Sequence, residues 1–175
     1  MNVIIEQKRI TSQQISKLES LLSAELFEYR RLRRIAIKQN SYLRKRDVQR
    51  IEHNATEWAK YLPMAEKAKN ARESMLVNEI GCSEKQLNSL NIQDLEKLAG
   101  SLPDSFCETW DKWKLSISDL ERQNNLNGIL ARFCLELVSD ELGAIKEDCS
   151  DKQDCYDTQG GIPGGKINSV ITRRA

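Results

Sequence analysis

The residues able to do chemistry are few and scattered. His53 is the only histidine, so imidazole metal clusters and most acid–base schemes lack their parts, and it reads as a helix-surface residue. Cys82, Cys107, Cys134, Cys149 and Cys155 are odd in number, widely spaced and never in a C-x-x-C pair. That usage predicts reduced thiols rather than a disulfide framework or a zinc site. Gly160, Gly165 and Lys166 match the G-x-x-x-x-G-K spacing of a phosphate-binding loop. Ile167, however, stands where the magnesium-binding hydroxyl belongs, and no strand pattern precedes the loop. These residues support no catalytic constellation, no cofactor and no metal site.

Two patterns point to binding instead. Residues 30–50 carry nine cations against Asp47 alone, a net charge of +8, and clustered Lys and Arg can grip a phosphate backbone. Yet they interleave with Leu32, Ile35, Ala36 and Leu43, the look of a solvated face on an amphipathic helix, with no aromatic platform or recognition module beside them. Asn124 and Asn127 interrupt an otherwise apolar seam, with Gly128 adjacent to permit close backbone approach. An amide there either fixes helix register or marks a weakened section where a client helix inserts, and the sequence leaves both open.

The elements that must position these residues are helices. With 175 residues, 30 % charged, 6 % aromatic and three prolines, the chain suits one all-α domain of ordinary size. Lys plus Arg (27) nearly cancels Asp plus Glu (26), so no global field draws it to nucleic acid or membrane. The opening apolar run is too short for a signal peptide, and nowhere do about 18 apolar residues run together, so a cytoplasmic location is expected.

Periodicity predicts three long helices joined by short ones. In the first, Ile15, Leu18, Leu22, Tyr29, Leu32, Ala36 and Leu43 step by three and four residues, interrupted by Glu25 and Gln39. Leu21, Leu26 and Ile35 widen that stripe, which favours a bundle over a dimeric zipper. Asp47 is placed to cap a second helix through Val48, Ile51, Ala55, Trp58, Leu62 and Ala65, closed by Met75, Leu76 and Ile80 and stopped by Gly81. Pro63 lies inside it and predicts a kink, or else a break.

Ser83 with Gln86 reads as a capping box, and Asn91 precedes a short helix ending at Gly100. The third long helix opens at Asp104 with the seam Phe106, Trp110, Trp113, Ile117, Leu120, Asn124, Asn127, Ala131, Cys134, Val138 and Ile145, interrupted at Glu141. Beyond Glu147, small polar residues and glycine predict a flexible tail, so residues 1–147 form one helical domain and 148–175 the tail. Residues 136–157 carry a net charge of −6. If the long helices run up, down and up, that block meets the basic block at one end, a match that sets orientation more than stability.

The segment LERQNNLNGILARFCLELVSDELGAI, Leu120 to Ile145, resembles the signature of FlgN-type flagellar export chaperones, in which leucine, asparagines and glycine precede a long apolar helix. SKLESLLSAELFEYRRLRRIAIKQNSYLRKRDVQRI and the lysine- and glutamate-rich helix after it are similar to that family's paired helices joined at an aspartate. Tyr156-Asp157-Thr158-Gln159-Gly160, with Arg173 and Arg174 near the end, is similar to its tyrosine, glycine and terminal arginine pattern. The cysteines and three tryptophans depart from it.

The resemblance implies a binding function without catalysis: holding hook-filament junction (hook-associated) proteins in the cytosol and delivering them to the flagellar export gate. It implies client contact by Leu120, Asn124, Asn127, Leu130, Cys134, Leu137 and Val138, gate docking by Tyr156, and a monomer or weak homodimer. The alternatives are a self-associating coiled-coil scaffold and, third, a nucleic-acid-binding helical protein.

Overall fold

Thr11 sets where the first helix begins. Its hydroxyl accepts from the Gln14 backbone N–H at 3.2 Å while the Gln14 side chain accepts from the Thr11 N–H at 2.9 Å, a reciprocal capping box that satisfies two orphan donors. In the computed structural model, which describes residues 9–83, 87 and 90–153, α1 then runs Ser12–Arg44. It buries Ile15, Leu18, Leu22, Leu26, Leu32, Ile35, Ala36 and Leu43, the stripe expected from its spacing. The helix ends where Arg46 adopts a left-handed backbone (φ 53).

Asp47 turns the chain into α2, Val48–Met75, its carboxylate accepting from the Arg50 N–H at 3.1 Å. The helix is unbroken across Pro63, although a proline there removes the donor that would serve the Ala59 carbonyl. A π turn, Leu76–Ile80, continues it, and Gly81 at φ 86 stops it. That left-handed position is open to glycine without steric cost. Of the expected Ser83–Gln86 box, Gln86 lies outside the described residues. Asn91 caps α3, Ile92–Ala99, by accepting from the Asp94 N–H at 2.9 Å. Then α4 runs Asp104–Gln153, so helix covers residues 148–153, where the tail was expected to begin. Tyr156 and residues 154–175 lie outside the described residues.

The described residues are helical with no strand, and the protein is all-α. Its contacts fix directions within residues 1–131, the first of two compact units. Glu25 meets Arg72, Arg31 meets Met64, and the Ile35 carbonyl meets Asn54, so α1 and α2 run antiparallel. Arg33 pairs with Asp119 at 3.3 Å, and the Ala36 carbonyl accepts from Asn127 at 2.7 Å, so the first part of α4 runs parallel to α1.

One core cluster gathers Ile15, Leu18, Leu22, Met75, Leu76, Leu95, Phe106, Trp110 and Trp113. A second gathers Leu32, Ile35, Ala36, Ala65 and Leu120. Burial of such stripes supplies the stability that isolated helices lack in water. Glu25 is not the interruption its charge suggested. It is fully buried, accepts from Arg72 Nε at 2.6 Å and from the Tyr29 hydroxyl at 2.7 Å, and Arg72 lies 4.8 Å from the Trp113 ring centre. The ion pair joins α1 to α2, and the Trp113 ring brings α4 against it.

Candidate functional site

The seam of α4 changes character along its length. Phe106, Trp110, Trp113 and Leu120 are buried in the two core clusters, and their spacing keeps them on one face. The same face delivers Asn127, only 4 % exposed, to α1. Its amide donates to the Ala36 carbonyl at 2.7 Å and to Gln39 Oε1 at 3.1 Å, and its oxygen accepts from Asn40 at 2.9 Å and Gln123 at 3.1 Å. Gln39, expected to interrupt the α1 seam, is one of its partners. An amide whose bonding capacity is filled this way holds two helices in register.

Leu120 and Asn127, both expected to touch a client, are therefore inside the first unit, and Asn124 is half-buried. Leu130 is half-buried too, while Leu126 and Ile129 beside it are exposed. The second unit, residues 132–175, is described as α4 to Gln153. There Cys134 and Leu137 are half-buried and Val138 is exposed.

Sequence reasoning placed Val138 and Ile145 in its seam and missed Leu135 and Leu142 beside them. Leu135, Val138, Leu142 and Ile145 are 70, 44, 52 and 57 % exposed, and their i, i+3, i+7, i+10 spacing puts all four on one face, the pattern of a coiled-coil seam. Phe133 adds a further exposed ring. Glu141 borders the face, whereas Glu136, Asp140 and Glu147 lie on the opposite side of the helix, and all four are exposed. An exposed apolar stripe of this spacing is what a partner helix recognises.

Nothing in the described cysteines suggests an activated nucleophile. Burial pushes the Cys82 thiol up, and desolvation with the charges of Asp104, Glu96 and Asp111 pushes Cys107 up. Both shifts favour the less reactive thiol form. His53 is exposed on α2, as expected. Among the described residues no helix is long and apolar enough to cross a membrane.

A heptad-spaced apolar face on the longest helix is the kind of surface that helix-binding proteins use. The family model for FlgN protein matches residues 1–164, and the chain belongs to that family. Its members are flagellar export chaperones, proteins of flagellum biogenesis and type III export and not enzymes. Comparison with curated proteins and with solved structures returns no match.

Proposed function

We propose that this chaperone acts in the cytoplasm, binds the terminal amphipathic segments of hook-filament junction (hook-associated) proteins and delivers them to the flagellar export gate. The observation that carries the reading is the exposed stripe of Leu135, Val138, Leu142 and Ile145 on α4. A disordered amphipathic terminus gains its helix by laying an apolar face along such a stripe, and the ordering cost keeps the complex releasable.

Leu130, Cys134, Leu137 and Val138 contact the client, together with Leu135 and Leu142. Leu120 and Asn127 serve the same site from within, by fixing α4 against α1, and the half-buried Asn124 joins the client contact. Residues 1–147 hold the client, and the segment beyond them carries Tyr156, which docks to the gate. Calorimetry with a client's terminal peptide tests the first half: Leu130→Asp with Leu137→Asp weakens binding at least about tenfold, on the order of 1.4 kcal/mol. Unchanged affinity counts against it. Tyr156→Ala spares client binding and lowers gate binding or motility; equal gate binding removes the idea.

A second reading draws on the same stripe, because a heptad-spaced face also suits a self-associating coiled-coil scaffold. Light scattering separates the two. The chaperone is a monomer or weak homodimer that a client peptide converts to a defined complex, whereas the scaffold is a stable oligomer indifferent to the peptide.

A further inference from the structure

The outer side of α1 takes part neither in the core nor in the face of α4. Phe27, Arg30, Arg34, Ile37 and Lys38 recur at steps of three and four residues, so they share one face, opposite the buried Leu32, Ile35 and Ala36. Phe27 is 54 % and Ile37 45 % exposed, and Arg30, Arg34 and Lys38 are exposed beside them.

Between Phe27 and Lys38 α1 itself puts no acid on this face, and the one carboxylate that reaches it from α2 is Glu57, at its Lys38 edge. Glu25 is sealed against Arg72, Glu28 pairs with Arg31 at 3.0 Å, and the carboxylate met by Lys38 is Glu57 at 3.9 Å. Arg30 and Arg34 make no ion pair among the described residues. The Arg31 guanidinium lies 4.9 Å from the Phe27 ring centre and 4.6 Å from that of Tyr61, and 3.8 Å from the Met64 sulfur. Phe27 is therefore held by a cation–π contact beside the exposed Met64.

The result is a basic ridge with apolar side chains rising from it. A ridge suits a flat partner, whereas a peptide needs a groove in which to bury its own side chains. A nucleic acid would engage the cations and stack on the single ring of Phe27, but it would leave Ile37 and Met64 exposed. An anionic lipid surface uses both parts, since each Lys or Arg near it is drawn to the negative headgroups and apolar side chains enter the boundary between headgroups and acyl chains.

The geometry points to adsorption of the outer face of α1 onto bilayers containing anionic phospholipid, with Arg30, Arg34 and Lys38 over the headgroups and Phe27 and Ile37 entering the interface. This binding is independent of the client reading and needs no spanning segment.

Flotation of the full chain with vesicles tests it, using phosphatidylcholine alone or mixed with phosphatidylglycerol. The chain floats with the mixed vesicles and not with the neutral ones, and binding weakens as salt rises from roughly 0.01 to 0.15 M. Arg30→Glu with Arg34→Glu loses about thirtyfold or more in partitioning. Phe27→Ser with Ile37→Ser weakens binding and makes the remainder more salt-sensitive. Circular dichroism checks that these surface variants stay folded. Equal partitioning to both vesicle types, or full binding by the charge-reversed variant, overturns the proposal. So does RNA binding through this face without vesicle binding, which would reassign it to nucleic acid.

Discussion

Residues 104–131 and residues 132–153 of α4 follow the same seam spacing and meet opposite fates. In the first stretch Phe106, Trp110, Trp113 and Leu120 are buried, and even the polar Asn127 is enclosed with its hydrogen bonds filled. In the second, Leu135, Val138, Leu142 and Ile145 stand in solvent. Heptad spacing says that a helix face needs a partner, not that the partner is in the same chain. The contrast makes stability and binding separable: substitutions in the first stretch and its contacts move the folding equilibrium, and substitutions on the exposed stripe move association.

The largest expected effect lies in the ion pair beneath Trp113. Arg72→Met leaves the Glu25 carboxylate buried without its cation, which costs about 3–5 kcal/mol and is read from urea unfolding. Adding Glu25→Leu recovers much of that loss, because the double variant strands no charge. If the single variant costs no more than an exposed substitution, roughly 0.5 kcal/mol, the pair does not organise this unit.

Asn127→Ala comes next, with an expected cost of about 1–3 kcal/mol, since the Ala36 carbonyl and the Asn40 amide lose their partner. The same change should lower client affinity less than substitutions on the stripe do. A client defect larger than the stability defect would move Asn127 from register to direct contact.

A smaller effect is alkaline. Burial first, then the hydrogen bond to the Glu25 carboxylate, pushes the Tyr29 hydroxyl well above its ordinary range, favouring the neutral form in the folded state. Because the unfolded chain loses this proton more readily, near pH 10, the contribution is fully present below that pH and falls as pH rises above it. Tyr29→Phe should flatten the loss of stability between neutral pH and the region above pH 10. An identical alkaline slope in the variant would show that Tyr29 does not set it.

Much of the fold was legible because its signals are local. Asp47, Asn91, Gly81 and Gly100 bound their helices as their side-chain chemistry dictates. The Thr11–Gln14 box was equally visible in the spacing and went unread. Glu25 was misjudged for a different reason: its partner lies 47 positions away, and a charge in a seam looks like an error until the cation that answers it is found.

The α4 stripe was only partly legible. A seam extended by strict steps of three and four drifts about 20° per heptad around a straight helix, so by residue 134 it pointed at Cys134 and Glu141 and passed over Leu135 and Leu142. Which apolar residues stay uncovered is decided by tertiary packing, and no local spacing encodes that. The side of α1 that carries Phe27 and Ile37 was read as a solvated face because its charges dominate composition, while the exposure of the two apolar side chains is a three-dimensional fact.

The most direct test of the binding account is a calorimetric titration of a hook-associated protein's terminal peptide into the full chain and into a Leu135→Asp, Leu142→Asp variant. The account predicts an affinity loss of at least about a hundredfold, on the order of 2.7 kcal/mol, with an unfolding midpoint unchanged from the parent. Parent-like affinity in a folded variant would contradict it.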